Sequence, residues 1–236
     1  MIFRGWMKTS LIEYPGKVAT VLFARGCNFR CPFCYNRDLV LNPDKLVPTD
    51  EGTVLGYLEE NRHLYRAVVV TGGEPTMDPG LPAFFSAVKK LGMLAGLETN
   101  GTNPGMLELM FKDGLLDFVA MDLKAPLDWD RYSRAAGITD KKLFESVTKS
   151  VEFLLRSGKD YEFRTTVVPG LHNEADILDL ASEIRGAKKY ALQAFIPGDA
   201  HVSPAYGKMH KTPAAGLERI GKQISGFFGA FEIRNV

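Results

Sequence analysis

Arg25-Gly26-Cys27-Asn28-Phe29-Arg30-Cys31-Pro32-Phe33-Cys34-Tyr35-Asn36 contains all three cysteines of the 236-residue chain, in the spacing C-x3-C-x2-C. A disulfide would use two of them and strand the third, and a closed zinc site would need a histidine as its fourth ligand. A four-iron cluster held by three thiolates instead leaves one iron open to a substrate or cofactor. The spacing therefore favours an iron–sulfur cluster ligated by Cys27, Cys31 and Cys34, with Phe33 placed to cover it and exclude water.

The cysteine loop follows a compact apolar run at residues 18–24, which predicts a buried strand. Similar runs alternate with amphipathic stretches along the chain, and this alternation implies parallel strands with right-handed helical crossovers. Six strand–helix units fit this length better than the closed eight-unit barrel, which typically takes about 250 residues. The predicted fold class is therefore α/β, an open, partial (β/α)6 barrel of the TIM type. Further strands are predicted at 67–70, 93–97, 116–120, 161–168 and 190–195, an edge strand at 231–234, and helices after a cap at Thr49 or Asp50 and at 81–90, 104–112, 141–156, 175–185 and 214–227.

The chain shows no internal repeat, low-complexity tract or linker, so we expect a single domain over residues 1–236. Its core is expected at about 18–197, followed by a C-terminal loop and helix at about 198–236. Within that region, residues 198–213 contain Gly, Pro and two of the four histidines, and predict a loop or lid over the site.

Charge and hydropathy exclude several classes of protein. Lys plus Arg is 29 and Asp plus Glu is 28, so a net charge of +1 gives no reason to expect a nucleic-acid partner. No apolar run approaches the roughly 18 residues that span a bilayer, and the N-terminus lacks a signal-peptide pattern. Cysteines kept for a metal fit a reducing cytoplasm, and an exposed cluster would be sensitive to oxygen, which suggests an anaerobic setting.

Glycine and polar residues follow or end the predicted strands. Because the carboxyl ends of parallel strands lie at one edge, we expect these residues to meet at a single mouth. Plainer interpretations stay open: a simple turn at Gly72-Gly73-Glu74-Pro75, an ion pair between Asp122 and Lys124, and a structural salt bridge for Arg164. His63, His172, His201 and His210 show no ligand spacing and are predicted to be surface or loop residues. The strand-end residues are Gly72, Gly73, Glu74, Glu98, Thr99, Asn100, Gly101, Asp122, Lys124, Arg164 and Thr166, and the sixth strand carries Gln193.

The cysteine motif, C-x3-C-x-aromatic-C, followed by Gly72-Gly73-Glu74-Pro75, resembles the radical S-adenosylmethionine (SAM) enzymes. The stretches at 9–17 and 26–38 resemble the activases of glycyl-radical enzymes. The likeness is greatest to the activating proteins of anaerobic ribonucleoside-triphosphate reductase, with pyruvate formate-lyase activase as a relative. The resemblance extends from about residue 3 to about residue 197.

This resemblance implies two cofactors, a 4Fe–4S cluster with three cysteine ligands and SAM. It implies reductive cleavage of SAM to a 5′-deoxyadenosyl radical, which takes a hydrogen atom from a glycine of a partner enzyme, with no residue acting as a general acid or base. The implied partner is a glycyl-radical enzyme, first among them anaerobic ribonucleotide reductase. Because no cysteine remains for a second cluster, an outside flavodoxin or ferredoxin would donate the electron.

The resemblance also implies roles for particular residues. The stretch Gly72-Gly73-Glu74 would bind the amino group of SAM, and Glu98, Thr99 and Asp122 would hold a monovalent cation, although Glu98 stands where the relative has Asp. Two further departures, Tyr35 in place of His and Glu13 in place of Asp, bear on the partner and not on the cluster. The other predicted cofactor-binding residues are Phe33, Tyr35, Asn100, Asp122, Lys124, Arg164, Thr166 and Gln193.

Two other functions remain open at the level of sequence. One is a radical SAM enzyme acting on a small molecule, such as a deazapurine precursor in tRNA modification. The other is a non-catalytic module that binds a cluster or zinc, which the Gly72-Gly73-Glu74 stretch and Asp122 disfavour because such a module needs no SAM pocket.

Overall fold

The computed structural model describes residues 1–236 and contains nine strands and nine α-helices. The strands are β1 (Ile2–Ser10), β2 (Ala19–Ala24), β3 (Thr49–Asp50), β4 (Ala67–Gly72), β5 (Leu94–Thr99), β6 (Phe118–Asp122), β7 (Tyr161–Val167), β8 (Lys189–Ala194) and β9 (Ala230–Arg234). The helices are α1 (Arg37–Leu41), α2 (Glu51–Glu60), α3 (Leu81–Lys90), α4 (Pro104–Lys112), α5 (Trp129–Ala136), α6 (Lys141–Arg156), α7 (Glu174–Glu183), α8 (Pro204–Gly207) and α9 (Ala214–Ile224). No helix is both long enough and apolar enough to cross a membrane.

The strands follow the order β3-β1-β2-β4-β5-β6-β7-β8-β9, which has two ends and does not close on itself. The pairs β2–β4, β4–β5, β7–β8 and β8–β9 are parallel. The amino-terminal strand β1 instead pairs antiparallel with both β2 and β3. This order confirms the predicted α/β class and the open, partial barrel.

The chain divides into two compact units, which we describe separately. The first unit comprises residues 1–28, 38–99 and 103–120, and the second comprises residues 29–37, 100–102 and 121–236. The expectation of a single domain stays a prediction.

The first unit is built on β2 and β4, whose side chains are buried on both faces, as is typical of parallel strands covered by helices. Helix α2 begins where the sequence predicts, because the Asp50 side chain accepts a hydrogen bond from the Thr53 backbone N–H. Next to these strands, the rings of Tyr14 and Phe118 pack with centroids 5.5 Å apart.

The second unit contains β7 and β8, with helices α6 and α7 beginning at side-chain caps. Asp140 accepts from the Lys142 N–H, and Asn173 with Asp176 forms a reciprocal capping box. Helix α5 ends at Gly137, whose φ of 63° lies in the left-handed region that glycine adopts most easily. Strand β9 lies beside β8, which confirms the predicted edge strand at 231–234.

Five elements were absent from the sequence prediction: the long strand β1, helix α5, and the short elements β3, α1 and α8. Strand β1 carries Gly5 and Lys8 and is only partly buried, so it lacks the continuous apolar run of the other strands. Helix α5 has only eight residues, several of them charged, so its sequence shows no recognisable apolar stripe. The last predicted helix, 214–227, is an α-helix only to Ile224 and continues as a 3-10 turn at Ser225–Phe227.

Candidate functional site

The loop after β4 packs directly on the backbone that leads to Cys27. The Gly73 N–H donates to the Ala24 carbonyl oxygen at 3.1 Å, and the Glu74 N–H donates to the Gly26 carbonyl oxygen at 2.7 Å. A Cβ atom on Gly73 would lie 1.5 Å from that same Gly26 oxygen. Glycine is therefore required here by the cysteine loop's own backbone.

The carboxylate of Glu74 is fixed by threonines of the first unit. Its Oε1 atom accepts hydrogen bonds from the Thr76 N–H at 3.1 Å, the Thr76 hydroxyl at 2.6 Å and the Thr99 hydroxyl at 2.7 Å. The side chain is 1 % exposed. Three donors on one oxygen hold the carboxylate in a single orientation, which is the preorganisation that a ligand-binding group needs.

The predicted cation ligands have protein partners of their own. The Thr71 hydroxyl donates to Glu98 Oε2 at 2.7 Å, and the Thr99 hydroxyl is the donor to Glu74. Glu98 and Thr99 belong to the first unit and Asp122 to the second. A monovalent cation shared by these three residues stays a prediction.

The three cysteines form no disulfide, and Cys31 is the most buried of them. The Cys34 N–H donates to the Cys31 carbonyl oxygen at 3.1 Å, which closes a tight turn between these two residues. Burial raises the pKa of the Cys34 thiol, while the Asn36 backbone and the Lys124 charge oppose that rise. Cys27 belongs to the first unit, and neither unit alone brings together three His, Cys, Asp or Glu side chains that could hold a metal ion.

Residues 198–203 are joined to the Cys31–Cys34 turn by backbone hydrogen bonds. The Val202 N–H donates to the Cys34 carbonyl oxygen at 2.8 Å, the Ser203 N–H to the Pro32 carbonyl oxygen at 2.9 Å, and the Arg37 N–H to the Ala200 carbonyl oxygen at 3.3 Å. We call residues 198–203 the brace. Where the sequence predicted a loop or lid at 198–213, this first part is backbone hydrogen-bonded to the cysteine loop.

Two of the histidines predicted to be surface or loop residues lie in loops, and both are held by hydrogen bonds within the protein. His201 is 2 % exposed, its Nδ1–H donates to the Gly198 carbonyl oxygen at 2.6 Å, and its ring lies 5.0 Å from that of Phe195. His172 accepts from the Val168 N–H at 3.0 Å through Nδ1 and donates through Nε2 to the Lys124 carbonyl oxygen at 2.8 Å. Both are structural histidines near predicted site residues, and their spacing in the sequence gave no sign of it.

The aromatic residues of the cysteine loop differ in burial. Phe33 is buried, and its ring lies 6.3 Å from that of His172 and 6.5 Å from that of Tyr206. Tyr35 is 71 % exposed. Phe33 therefore packs as an apolar cover would, whereas the predicted role of Tyr35 in cofactor binding stays a prediction.

Lys124 and Asp122 form the ion pair that the sequence left open, with Nζ 2.7 Å from Oδ2. Burial opposes the charge on Lys124, but the negative charges of Asp122 and Cys31 outweigh it and raise the pKa of Lys124. Lys124 is thus a fixed positive charge beside Cys31.

Arg164 makes the structural salt bridge that was the alternative to a role in the SAM pocket. Its Nε donates to Glu162, a buried carboxylate that also accepts two hydrogen bonds of 2.9 Å from Arg234 and lies 3.4 Å from Lys189 Nζ. Two residues after Arg164 on β7, Thr166 pairs with Gln193 on the neighbouring strand β8.

Asn100, another predicted site residue of the second unit, is buried. Its Oδ1 accepts from the N–H of Thr102 at 3.0 Å and from the hydroxyl of Thr102 at 2.7 Å. Together with the other assignments to SAM, its role stays a prediction.

The residue types of the cysteine loop suit an iron–sulfur cluster, and its ligation by all three cysteines stays a prediction. Three thiols lie within an eight-residue loop, no fourth cysteine or disulfide competes for them, and Lys124 offsets thiolate charge beside Cys31. The buried hydroxyl of Tyr132, whose ring packs against Phe29 of this loop, has no acceptor for its proton in the chain. A buried donor without an acceptor is what a missing sulfur-rich cofactor would leave behind.

Comparison with known proteins gives three findings. The radical SAM superfamily matches residues 21–184. A Methanocaldococcus jannaschii protein, provisionally named a glycyl-radical enzyme activating enzyme, is 28% identical over 234 residues, covering 98% of this chain and 95% of the relative. The pyruvate formate-lyase-activating enzyme of Clostridium pasteurianum is 28% identical over 190 residues, 77% of this chain and 76% of the relative.

Among solved structures, Streptococcus suis SuiB bound to the precursor peptide SuiA resembles the chain with a TM-score of 0.68 at 14% identity. The similarity covers 90% of this chain and 47% of SuiB, so the chain spans about half the length of that protein. This similarity is one of fold.

Proposed function

The chain belongs to the radical SAM superfamily, and from that premise we propose that it is the activating enzyme of a glycyl-radical enzyme. The family makes it an enzyme and implies a 4Fe–4S cluster and SAM as its cofactors. When bound, these cofactors supply the radical chemistry, and the protein supplies binding, orientation and a site from which water is excluded.

The observation that carries the proposal is the similarity to the Methanocaldococcus jannaschii protein, which extends over nearly the full length of both chains. The similarity to a pyruvate formate-lyase-activating enzyme supports the same reaction class. The open strand order also suits the task, because a folded partner must present a backbone glycine, and a closed barrel admits only small molecules.

In this proposal, Cys27, Cys31 and Cys34 hold three irons of the cluster. Glu74, fixed by Thr76 and Thr99, is a preformed acceptor for the ammonium group of SAM. Lys124 provides a positive charge beside Cys31. None of these residues needs to transfer a proton.

The partner we propose is an anaerobic ribonucleoside-triphosphate reductase, on the basis of the cysteine-loop sequence at 26–38. The proposed electron donor is a flavodoxin or ferredoxin, since all three cysteines are committed to one cluster. A radical SAM enzyme acting on a small molecule, such as a deazapurine precursor, is the second candidate, and the test below separates the two.

The test starts with anaerobic reconstitution of the full chain with iron and sulfide, followed by reduction with dithionite and addition of SAM. We expect about four irons per chain for a 4Fe–4S cluster, and 5′-deoxyadenosine as a product, with both lost or strongly reduced in Cys31→Ala. Addition of the anaerobic ribonucleotide reductase from the same organism should then give an EPR doublet from a glycyl radical.

The outcomes lead to different conclusions. Cleavage of SAM without a glycyl radical on this or another glycyl-radical enzyme would contradict the activase role and favour a small-molecule substrate. Stoichiometric zinc, or a cluster that never cleaves SAM under strong reductant, would contradict the enzymatic proposal as a whole.

A further inference from the structure

Helix α5 is fastened to the cysteine loop immediately before Cys31. The Arg30 N–H donates at 2.9 Å to the carbonyl oxygen of Ala136, which is the last residue of the helix. The next residue, Gly137, has φ of 63°, and a Cβ atom there would lie 2.2 Å from the Arg30 carbonyl oxygen. The position of α5 relative to Cys31 is therefore set by direct backbone contact.

One side chain of α5, Tyr132, points into this contact. It is 0 % exposed, and its ring meets that of Phe29 edge-on with centroids 6.4 Å apart. On its other side lies the ring of Phe144, 5.5 Å away. Packed between these two rings, the phenol has little freedom to turn its hydroxyl elsewhere.

Although the Tyr132 hydroxyl is buried, its proton has no acceptor within the chain. Tyr190, equally buried in the same unit, donates its hydroxyl to Thr165 Oγ1 at 3.0 Å. A buried hydroxyl proton without an acceptor is destabilising, so proteins retain one chiefly where a ligand or cofactor accepts it.

The residues around this hydroxyl indicate what it faces, because the Tyr132 ring packs against Phe29, two residues before Cys31. Burial raises the pKa of Tyr132, the nearby Lys124 opposes that rise through its charge and its backbone N–H, and the charges of Cys31 and Asp122 add to it. Asp122 already accepts the Lys124 ammonium group at 2.7 Å. Of the acceptors around Tyr132, the sulfur of Cys31 is the one that cofactor binding would make anionic and fix in place.

We propose that the Tyr132 hydroxyl donates a hydrogen bond to the sulfur at Cys31 when the cluster is bound. The hydroxyl is a donor at neutral pH, because a phenol loses its proton only near pH 10 or above. Cluster thiolates are anionic acceptors, and hydrogen bonds to them are among the factors that set the reduction potential. Tyr132 thereby makes the cluster easier to reduce, since the added electron increases the negative charge on sulfur.

This inference depends on the cluster assignment and not on the identity of the partner enzyme. The test compares Tyr132→Phe with the wild type and with Tyr190→Phe, which makes the same change at an equally buried tyrosine. Each full-length protein is reconstituted with iron and sulfide, its iron and sulfide are counted, and the potential is measured by EPR during titration with dithionite, without SAM and then with it.

We expect Tyr132→Phe to bind iron as the wild type does but to have a lower potential without SAM. The expected change is roughly tenfold in the reduction equilibrium, which corresponds to about 59 mV for a one-electron couple. Tyr190→Phe should leave the potential unchanged. Without iron, we expect the effects on the melting temperature to be the other way round. Tyr190→Phe should lower the melting temperature because it removes a hydrogen bond, and Tyr132→Phe should leave the melting temperature unchanged or raise it.

Three results would overturn the inference. An unchanged potential in Tyr132→Phe, with normal iron content, would show that the hydroxyl does not bond to the cluster. A shift seen only with SAM would assign the hydroxyl to SAM instead of sulfur. Failure of the wild type to bind iron would remove the acceptor and would contradict the cluster assignment along with this inference.

Discussion

The backbone N–H of Glu74 donates to the carbonyl oxygen of Gly26 at 2.7 Å, so the end of one strand holds the residue that precedes the first cysteine. This close contact requires glycine at position 73, because any Cβ there would overlap the Gly26 oxygen. The Gly-Gly-Glu stretch therefore has two parts: its glycines position the cysteine loop, and its carboxylate faces the threonines that orient it.

Replacement of Gly73 by Ala should damage the cluster site. Because the added methyl would lie 1.5 Å from the Gly26 oxygen, the loop before Cys27 must shift, at a cost of about 1–3 kcal/mol or more in the free energy of unfolding. We expect Gly73→Ala to retain less than half of the wild-type iron after reconstitution. The measurement is iron content together with urea unfolding.

The matched control is Gly56→Ala, in the middle of helix α2, where a Cβ would meet no atom within 4 Å. That variant should bind iron normally and gain roughly 0.5–1 kcal/mol, since Ala favours a helix over Gly. Normal iron content in Gly73→Ala would show that the backbone contact is not needed to place Cys27.

The second prediction concerns the brace, residues 198–203. Removal of the His201 ring leaves a cavity beside Phe195 and removes the hydrogen bond to Gly198, so the segment that bonds to Cys34 and Pro32 should loosen. We expect His201→Ala to release iron to a chelator at least fivefold faster than the wild type. Hydrogen exchange of the peptide covering residues 198–209 should accelerate in the same variant.

His210→Ala is the control for the brace, because it changes an exposed histidine of the same C-terminal loop. It should behave as the wild type in both measurements. Slow exchange at residues 67–72 in His201→Ala would show that the core remains folded. If the peptide 198–209 loosens and iron release does not change, the brace does not stabilise the site.

The ion pair at Lys124 leads to a third prediction. The resemblance implies that Lys124 is one of the residues that bind SAM, and Lys124 is also the partner of Asp122. Loss of its positive charge should therefore weaken binding of the anionic carboxylate of SAM. We expect Lys124→Met to raise the KM for SAM at least tenfold in an assay of 5′-deoxyadenosine, with a smaller effect on kcat. Lys89→Met removes a comparable ion pair to Asp117, also 2.7 Å long, and should leave KM unchanged.

The opposite pattern, a normal KM with a reduced melting temperature, would assign the Lys124–Asp122 pair to stability alone. That outcome would support the plainer interpretation that the sequence left open, an ion pair at a strand end.

Sequence patterns predicted those parts of the fold whose signals are local. Helices α4 and α6 begin and end at the predicted residues because Asn103 and Asp140 cap them and their apolar residues recur at helical spacing. The strand ends that carry Gly72, Glu98 and Asp122 were predicted because buried strands read as apolar runs.

The contacts that the sequence did not reveal join residues far apart in the chain. Val202 bonds to Cys34, and Tyr132 lies beside Phe29, across more than 100 residues. Such pairs leave no periodicity in the sequence, since each partner looks like an ordinary loop or helix residue. The same holds for His201, whose burial depends on Phe195 and on the fold of the brace.

The last prediction concerns pH and the buried carboxylate of Glu162. Burial opposes its charge, but hydrogen bonds from Arg234 and Arg164 outweigh that effect and lower the pKa of Glu162 to about 2. Because an unfolded Glu titrates near pH 4.3, the ionised carboxylate stabilises the fold above that pH, and the stabilisation is lost as pH falls toward 2. At neutral pH this amounts to about 3 kcal/mol.

Glu162→Gln should therefore lower the free energy of unfolding by several kcal/mol at pH 7, because three cations, Arg164, Arg234 and Lys189, lose their shared counter-ion. Urea unfolding at pH 7, 5, 4 and 3.5 should show the gap to the wild type narrowing below pH 5. Glu152→Gln, which breaks an exposed pair with Arg156, should show a small gap at every pH. A gap for Glu162→Gln that stays constant from pH 7 to pH 3.5 would mean that the charge of this carboxylate does not stabilise the fold, and that its hydrogen bonds do so regardless of ionisation.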